Sequence, residues 1–212
     1  MRRSLRILPI ITLFLAVCYA LPAQLSGTYT INGSTAASAT NYQNFASAMG
    51  DLMSGARTDG GTPNGPGVSA AVTFTVAAGT YSESLILTQV TGASQTNTIT
   101  FDGVDPATRI LTSQATSSGQ STWHLSGADH IRIRNLGIRN TGTSDGFGVM
   151  INNVANNIEI TGCDIQISST GTSSDMVGIM VGTTISSYFL HGENMVFTNN
   201  TISGGYANIV AS

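Results

Sequence analysis

One short pattern of alternating apolar residues returns along most of this chain, and it limits the possible folds more than any other feature. The copies lie at 72–74, 99–101, 131–133, 158–160 and 195–197. Their starts are 27, 32, 27 and 37 residues apart, which is one period of 27 residues with insertions of 5 and 10. Self-similarity at such a period is the signature of a repeat architecture.

Each copy is a β-stretch of three residues, which is too short to be stable alone, so the copies have to stack. If each repeat makes one turn of a wide coil, the copies align as parallel strands about 4.8 Å apart. Alternate side chains then point to one interior. We expect one interior column that consists of Phe74, Phe101, Ile133, Ile160 and Phe197.

The last three copies share a second apolar position, seven residues after the start of each copy. It is occupied by Ile138, Ile165 and Ile202. Asn or Gly stands between the two positions, at 135, 162 and 199, where a bend needs a residue that tolerates positive φ. Two further apolar runs, 148–151 and 178–181, are 30 residues apart and predict a separate sheet.

These patterns predict an all-β fold, a right-handed parallel β-helix of about five coils over residues 71–212. Leucine-rich repeats fit less well because few Leu follow residue 90, and propeller blades need four strands every ~40 residues. Residues 204–210 begin another strand with no cap after it. We therefore expect the solenoid to be truncated at its C-terminus, as an N-terminal piece of a longer protein.

Residues 24–70 are predicted to cover the first coil. Phe45, Ala48, Met49, Leu52 and Met53 recur at helical spacing, which indicates an amphipathic capping helix over Asn41–Ser54, with Asn41 or Asn44 at its start. Residues 59–68 form a loop by their Gly and Pro content.

Residues 1–23 have the pattern of a secretory signal peptide, with a basic start and a short apolar run. We expect cleavage between Ala23 and Gln24, with Ala20 as the second choice. A retained anchor and lipidation at Cys18 are the alternatives. Cleavage predicts a secreted, extracellular or outer-surface protein without stable membrane insertion, in which Cys163 is the only thiol and serves as a small buried residue.

Charged residues make up 9% of the chain, against about 25% in an average soluble domain. Thr, Ser, Gly and Asn together account for 91 of the 212 residues, so hydroxyls, amides and backbone supply the polarity. After residue 23, five Arg face eleven acidic residues and there is no Lys. This balance excludes nucleic acid as a partner.

The segment after the first strand, Ala78-Gly79-Thr80-Tyr81 with Glu83, resembles the first coil of pectin-lyase-like β-helix proteins, and residues 157–165 resemble their generic repeat. With the helical cap and the Ser/Thr/Asn/Gly-rich body, residues 40–212 are similar to large bacterial surface and secreted proteins, often exported by the type IX route. The resemblance implies the fold and carries little about activity.

Alignment of the repeats predicts Arg132 over Glu159, Arg134 over Thr161 and Arg139 over Gln166, with Asp164 in the same sheet as Arg139. A lyase site needs a base of lowered pKa and a cation for the developing carboxylate dianion. The candidate ligand-binding residues are Arg132, Arg134, Arg139, Glu159 and Asp164. The competing interpretation is a solvated ion pair without chemistry.

The resemblance transfers no catalytic residue. Related lyases use Lys or Arg beside Ca²⁺-binding acids, and related esterases use two Asp on successive coils, whereas Asp164 has Gly137 and Thr201 at the matching sites. His124, His130 and His191 lack the spacing of a metal site, and residues 102–106 favour a turn over a Ca²⁺ site. No cofactor is predicted.

The sequence thus favours an exported, non-catalytic β-helix module, a cell-surface stalk or an adhesin-like scaffold that binds extracellular polysaccharide. One alternative is the N-terminal part of a polysaccharide lyase, glycoside hydrolase or pectin-esterase-like enzyme whose site lies in further coils. Another is a purely structural filament or matrix component.

Overall fold

The computed structural model describes residues 24–115, 117, 120–170, 173–182 and 192–211. The signal-peptide prediction, His191 and Ser212 lie outside them. The described residues form one helix and strands in three sheets, all paired in parallel. The predicted all-β class is therefore confirmed.

Sheet A contains β1 (Leu25–Ile31), β2 (Asn41–Tyr42), β3 (Val68–Val76), β6 (Ile99–Asp102), β9 (Ile131–Arg134), β12 (Glu159–Thr161) and β15 (Val196–Thr198). Sheet B contains β4 (Gly79–Ser82), β7 (Arg109–Ser113), β10 (Gly137–Asn140), β13 (Asp164–Ile167) and β16 (Thr201–Ser203). Sheet C contains β5 (Leu85–Thr88), β8 (Ser121–Ser126), β11 (Gly146–Asn152), β14 (Met176–Val181) and β17 (Ala207–Ala211). The helix is α1 (Phe45–Ser54).

From β3 onward the chain visits sheets A, B and C in that order five times, and each visit pairs with the strand of the round before. We call these rounds repeats 1 to 5: β3–β5, β6–β8, β9–β11, β12–β14 and β15–β17. This topology is consistent with a β-solenoid.

The predicted interior column is present. Phe74 pairs with Phe101, Phe101 with Ile133, Ile133 with Ile160, and Ile160 with Phe197, always in register. The first four are fully buried and Phe197 is half-buried. The structure adds Tyr29 of β1 beside Phe74, a strand that the sequence pattern did not predict.

The second column and the bends also follow the prediction. Ile138, Ile165 and Ile202 pair in register in sheet B. The bend residues all adopt positive φ, 50° at Asn135, 65° at Gly162 and 54° at Asn199. The separate sheet predicted from residues 148–151 and 178–181 is sheet C, where β11 pairs with β14.

The capping helix begins later than predicted. Asn44 is the N-cap, and its side chain accepts a hydrogen bond from the Ser47 N–H at 2.8 Å. Asn41 instead belongs to β2, where its side chain accepts a hydrogen bond from the Thr30 hydroxyl at 2.6 Å. Residues 41 and 42 are extended because β2 pairs with β1 at the edge of sheet A, so the helix cannot begin before this strand ends.

The Tyr81 and Glu83 pair of the sequence motif joins this helix to repeat 1. The Glu83 carboxylate accepts hydrogen bonds from the Phe45 and Ala46 N–H groups at 3.1 and 2.7 Å. The Tyr81 ring packs edge-on against Phe45, 5.3 Å between centroids. Phe45 is fully buried and also contacts Trp123, which is fully buried as well. A carboxylate at a helix N-terminus satisfies N–H groups that have no partner within the helix.

A buried polar network holds the segment after α1. Arg57 pairs with Asp59 at 2.8 Å, and both side chains are only 1% exposed. The Arg57 guanidinium also lies 3.9 Å from the centre of the Tyr42 ring. The Tyr42 hydroxyl donates to Asp51 at 2.6 Å. Burial and this hydrogen bond raise the pKa of Tyr42.

Candidate functional site

The structure divides the five predicted ligand-binding residues between two sheets. The predicted neighbours are in register: Arg132 with Glu159, Arg134 with Thr161, and Arg139 with Gln166. The outer face of sheet A carries Arg132, Arg134 and Glu159. Their neighbours along the strands, Ile133 and Ile160, point into the core. Arg139 and Asp164 lie on sheet B.

In sheet A, Glu159 of repeat 4 bridges two arginines of repeat 3. Its Oε1 accepts from Nη2 and Nε of Arg134 at 2.8 and 3.1 Å. Its Oε2 lies 3.4 Å from Nε of Arg132. The three side chains are 26–39% exposed, and ion pairs at such exposure contribute about 0.2–1 kcal/mol each. The bridge joins consecutive repeats along the stack.

A shallow depression of about 250 Å³ lies beside this bridge. Its other lining residues lie at, or shortly before, the first residues of sheet A strands. The lining residues are Gln95, Thr98, His130, Arg132, Asn157, Ile158, Glu159, Asn194 and Val196.

In sheet B, Arg139 of repeat 3 is bound to Asp164 of repeat 4. Nη2 of Arg139 donates to Oδ2 of Asp164 at 2.7 Å, and Nη1 donates to the Asp164 carbonyl oxygen. Gln166 donates from Nε2 to the same Oδ2 at 3.2 Å. Arg139 is 16% exposed, less than either arginine of sheet A.

These contacts limit the chemistry of both groups. A general base needs a carboxylate that is free to accept a proton from substrate, whereas Glu159 and Asp164 are each held by arginine. Among the described residues, no group of three or more His, Cys, Asp or Glu side chains is placed to hold a metal ion. Asp102 accepts from the Val104 N–H at 2.8 Å, as expected of a turn.

Two further candidates for chemistry, His124 and Cys163, are at least partly buried. His124 is half-buried and forms a hydrogen bond with Asn152 at 2.8 Å, and burial lowers its pKa although the Asn152 contact opposes this. Cys163 is buried as predicted, and burial raises its pKa to about 11.

The sequence analysis missed a groove along the carboxyl ends of the sheet B strands. It consists of two depressions, of about 480 and 300 Å³, that meet at Thr141. We call it the sheet B groove. The first depression is lined by Ser82, Glu83, Ser84, Thr112, Ser113, Gln114 and Thr141. The second is lined by Arg139, Asn140, Thr141, Gln166, Ile167, Ser168 and Ser169.

The signal for this groove was present in the repeat alignment. The position after the second interior column is Ser82, Thr112, Arg139, Gln166 and Ser203 in the five repeats, all in register. None of these side chains stands out in its own segment of the sequence, so only the alignment shows that they form one row. A further depression of about 340 Å³ adjoins the groove near Ile86 and His124.

No protein-family model, no curated protein and no solved structure matches this chain. Its function therefore has to be argued from these residues. In the described part of the chain, no helix has the length and apolar character needed to cross a membrane.

Proposed function

We propose that this chain is an exported, non-catalytic right-handed parallel β-helix module, similar to pectin-lyase-like proteins, that acts as an extracellular scaffold and binds carbohydrate. On this proposal residues 1–23 direct export, by the type IX route or a related one. The module then forms a stalk or an adhesin-like element at the outer cell surface. Five in-register repeats support the scaffold role, since stacked repeats give a rigid quasi-one-dimensional body.

One observation carries the non-catalytic part of the proposal. Both candidate carboxylates bind arginines of the preceding repeat: Glu159 binds Arg132 and Arg134, and Asp164 binds Arg139. Ion pairs between adjacent strands of parallel sheets contribute to stacking. They leave the carboxylates unsuited to proton abstraction.

The lining of the surface depressions supports carbohydrate as the ligand. Their walls are dominated by hydroxyl and amide side chains from several successive repeats. Such groups donate and accept hydrogen bonds without carrying charge. A polysaccharide presents hydroxyl groups at a regular spacing, as the repeats do.

Two assays on the chain test the proposal. We expect retention on an immobilised panel of plant and bacterial polysaccharides, and no unsaturated product from polyuronates with or without added Ca²⁺. Release of unsaturated product would show an active lyase and overturn the non-catalytic assignment. Absence of retention on every polysaccharide would overturn carbohydrate binding and favour a purely structural component.

A further inference from the structure

The three sheets end differently at the end of the stack formed by repeat 1. Beyond repeat 1, sheet A continues with two more strands, β1 and β2. Sheet C ends under α1, where the Met53 Sδ accepts from the Thr88 N–H at 3.5 Å. Sheet B ends at β4, whose only partner among the described strands is β7. Sheet B therefore has a free edge at β4.

This free edge presents unpaired backbone groups. The Gly79 N–H donates to the Thr108 carbonyl oxygen at 2.9 Å, and that of Glu83 donates into β7 at the same distance. Alternate residues of a strand in a parallel sheet bond to opposite neighbours. The N–H and C=O groups of Thr80 and Ser82 therefore point away from β7, and no described residue accepts from either N–H. Both residues are exposed.

The β4 edge lacks the features that protect exposed edges in other proteins. Such edges carry charged side chains, proline or a bulge. The strand Gly79–Ser82 contains neither charge nor proline, and its register with β7 is regular. Glu83 follows directly, but its two carboxylate oxygens are bound to the first N–H groups of α1. The edge is therefore open to pairing with another strand.

The space beyond β4 admits one extended chain but not a second copy of this protein. Sheet A extends two strand spacings further, about 9.6 Å, and a helix such as α1 is about 10 Å across. Two copies paired through their β4 edges would bring these layers within one strand spacing, about 4.8 Å, so the layers would collide. A single extended segment has no such layers.

The position inside the edge limits the side chains of an added strand. The Tyr81 ring faces inward and packs against Phe45, with 5.3 Å between centroids, and its hydroxyl donates to the Ile31 carbonyl oxygen at 3.0 Å. A residue that faces this filled interior has to be small. The outward neighbours, Thr80 and Ser82, carry no charge with which a charged residue could pair.

We propose that the β4 edge binds an extended, uncharged segment of another protein, which adds to sheet B as a further strand. Its backbone pairs with the free N–H and C=O groups of Thr80 and Ser82, and it places a small residue beside Tyr81. Backbone pairing supplies the affinity, and the restricted position supplies specificity. This interaction goes beyond carbohydrate binding and does not depend on it.

Residue-resolved hydrogen exchange, measured by NMR, tests the edge in the free chain. We expect the amides of Thr80 and Ser82 to exchange at least about a hundredfold faster than that of Tyr81, which is bonded to β7. Equal protection of the three amides would show that the edge is covered and would overturn the proposal.

A phage-displayed library of random heptapeptides, selected on the unmodified chain, supplies the probe. We would measure binding of the most enriched peptide by fluorescence anisotropy to the unmodified chain, Thr80→Pro and Thr80→Val. Proline removes the edge N–H without loss of a bond to β7, and its ring crowds the added backbone, so we expect at least about tenfold weaker binding. Thr80→Val keeps the N–H and is the matched control, with unchanged binding. The peptide should slow exchange at Thr80 and Ser82.

A change in the peptide repeats the test without changing the protein. Methylation of the peptide nitrogens that face β4 should abolish binding, and circular dichroism melting curves check that Thr80→Pro folds. Equal binding to Thr80→Pro and the unmodified chain would overturn the site, as would a peptide that protects other amides instead or a library without an enriched peptide. Retention on polysaccharides does not change with any of these results, so the two proposals fail separately.

Discussion

The two ends of the described stack are built from the same strand pattern but differ in how they are covered. At the first end, Phe74 and Phe101 are fully buried, and α1, β1 and β2 pack beyond repeat 1. At repeat 5 the corresponding residue Phe197 is only half-buried, and Ile209 in sheet C is 47% exposed. An interior column therefore contributes fully to stability only where a layer packs on both of its sides.

The covered end also uses different interactions. Arg57 and Asp59 form a buried ion pair there, whereas the ion pairs in the middle of the stack are partly exposed. Buried pairs are strongly destabilising to break, while exposed ones contribute little. The first end should therefore be sensitive to charge changes, and the middle should not.

The largest expected effect is that of a charge inside the column. Ile160→Asp places a carboxylate at a fully buried position between Ile133 and Phe197. Burial of an unpaired charge is prohibitive, so we expect loss of the cooperative thermal transition. Glu159→Ser, at the neighbouring outward position, should cost no more than about 1 kcal/mol for each of its two ion pairs. Equal melting shifts for the two variants would contradict the assignment of inside and outside.

The next effect compares column members at different depths. Phe101→Ala removes a fully buried ring and should cost about 3–5 kcal/mol in urea unfolding. Phe197→Ala makes the same change at a half-buried position of repeat 5. We expect the free energy of unfolding to fall by about 1–2 kcal/mol, because less buried apolar area is lost. If Phe197→Ala were the more costly of the two, repeat 5 would be as well covered as repeat 2.

A local effect, smaller than that of Phe101→Ala, is the acid sensitivity of the covered end. Burial alone would raise the pKa of Asp59, but hydrogen bonds from Arg57, Gln43 and Gly61 and the charge of Arg57 lower it to about 2. Because this pKa is depressed, its stabilisation, about 2 kcal/mol, is present above the usual value near 4 and is lost as pH falls through about 2.

Hydrogen exchange at several pH values measures this. We expect protection of α1 to fall between about pH 4 and pH 2 while protection of β11 and β14 persists. In Asp59→Asn, α1 should be less protected at neutral pH, and the part of the pH dependence that comes from Asp59 should disappear. Loss of protection in β11 and β14 before α1 would reverse the predicted order.

The interior column and the bends could be predicted because they repeat. A common period identifies Phe74, Phe101 and Ile133 as members of one column, which no single segment could do. Tyr29 belongs to the same column, but it lies 45 residues before Phe74, since α1 and the Gly/Pro loop intervene. A single displaced copy gives no period, so β1 was missed.

The polar contacts could be predicted only in part. Register placed Arg132 beside Glu159, but it could not show that Glu159 also binds Arg134, because that choice depends on side-chain reach. Nor did the sequence indicate that Arg57 is buried, since burial there follows from the packing of the loop against Tyr42.

The buried thiol of Cys163 can serve as a built-in probe of local opening of the stack. It is the only cysteine in residues 24–212, and its Sγ lies 3.7 Å from the carbonyl oxygen of Ile133 in the preceding repeat. With a pKa of about 11, roughly one thiol in ten thousand is ionised at neutral pH. An alkylating reagent can therefore modify Cys163 at an appreciable rate only while the stack around repeat 4 is locally open, so the labelling half-time measures how often that opening occurs.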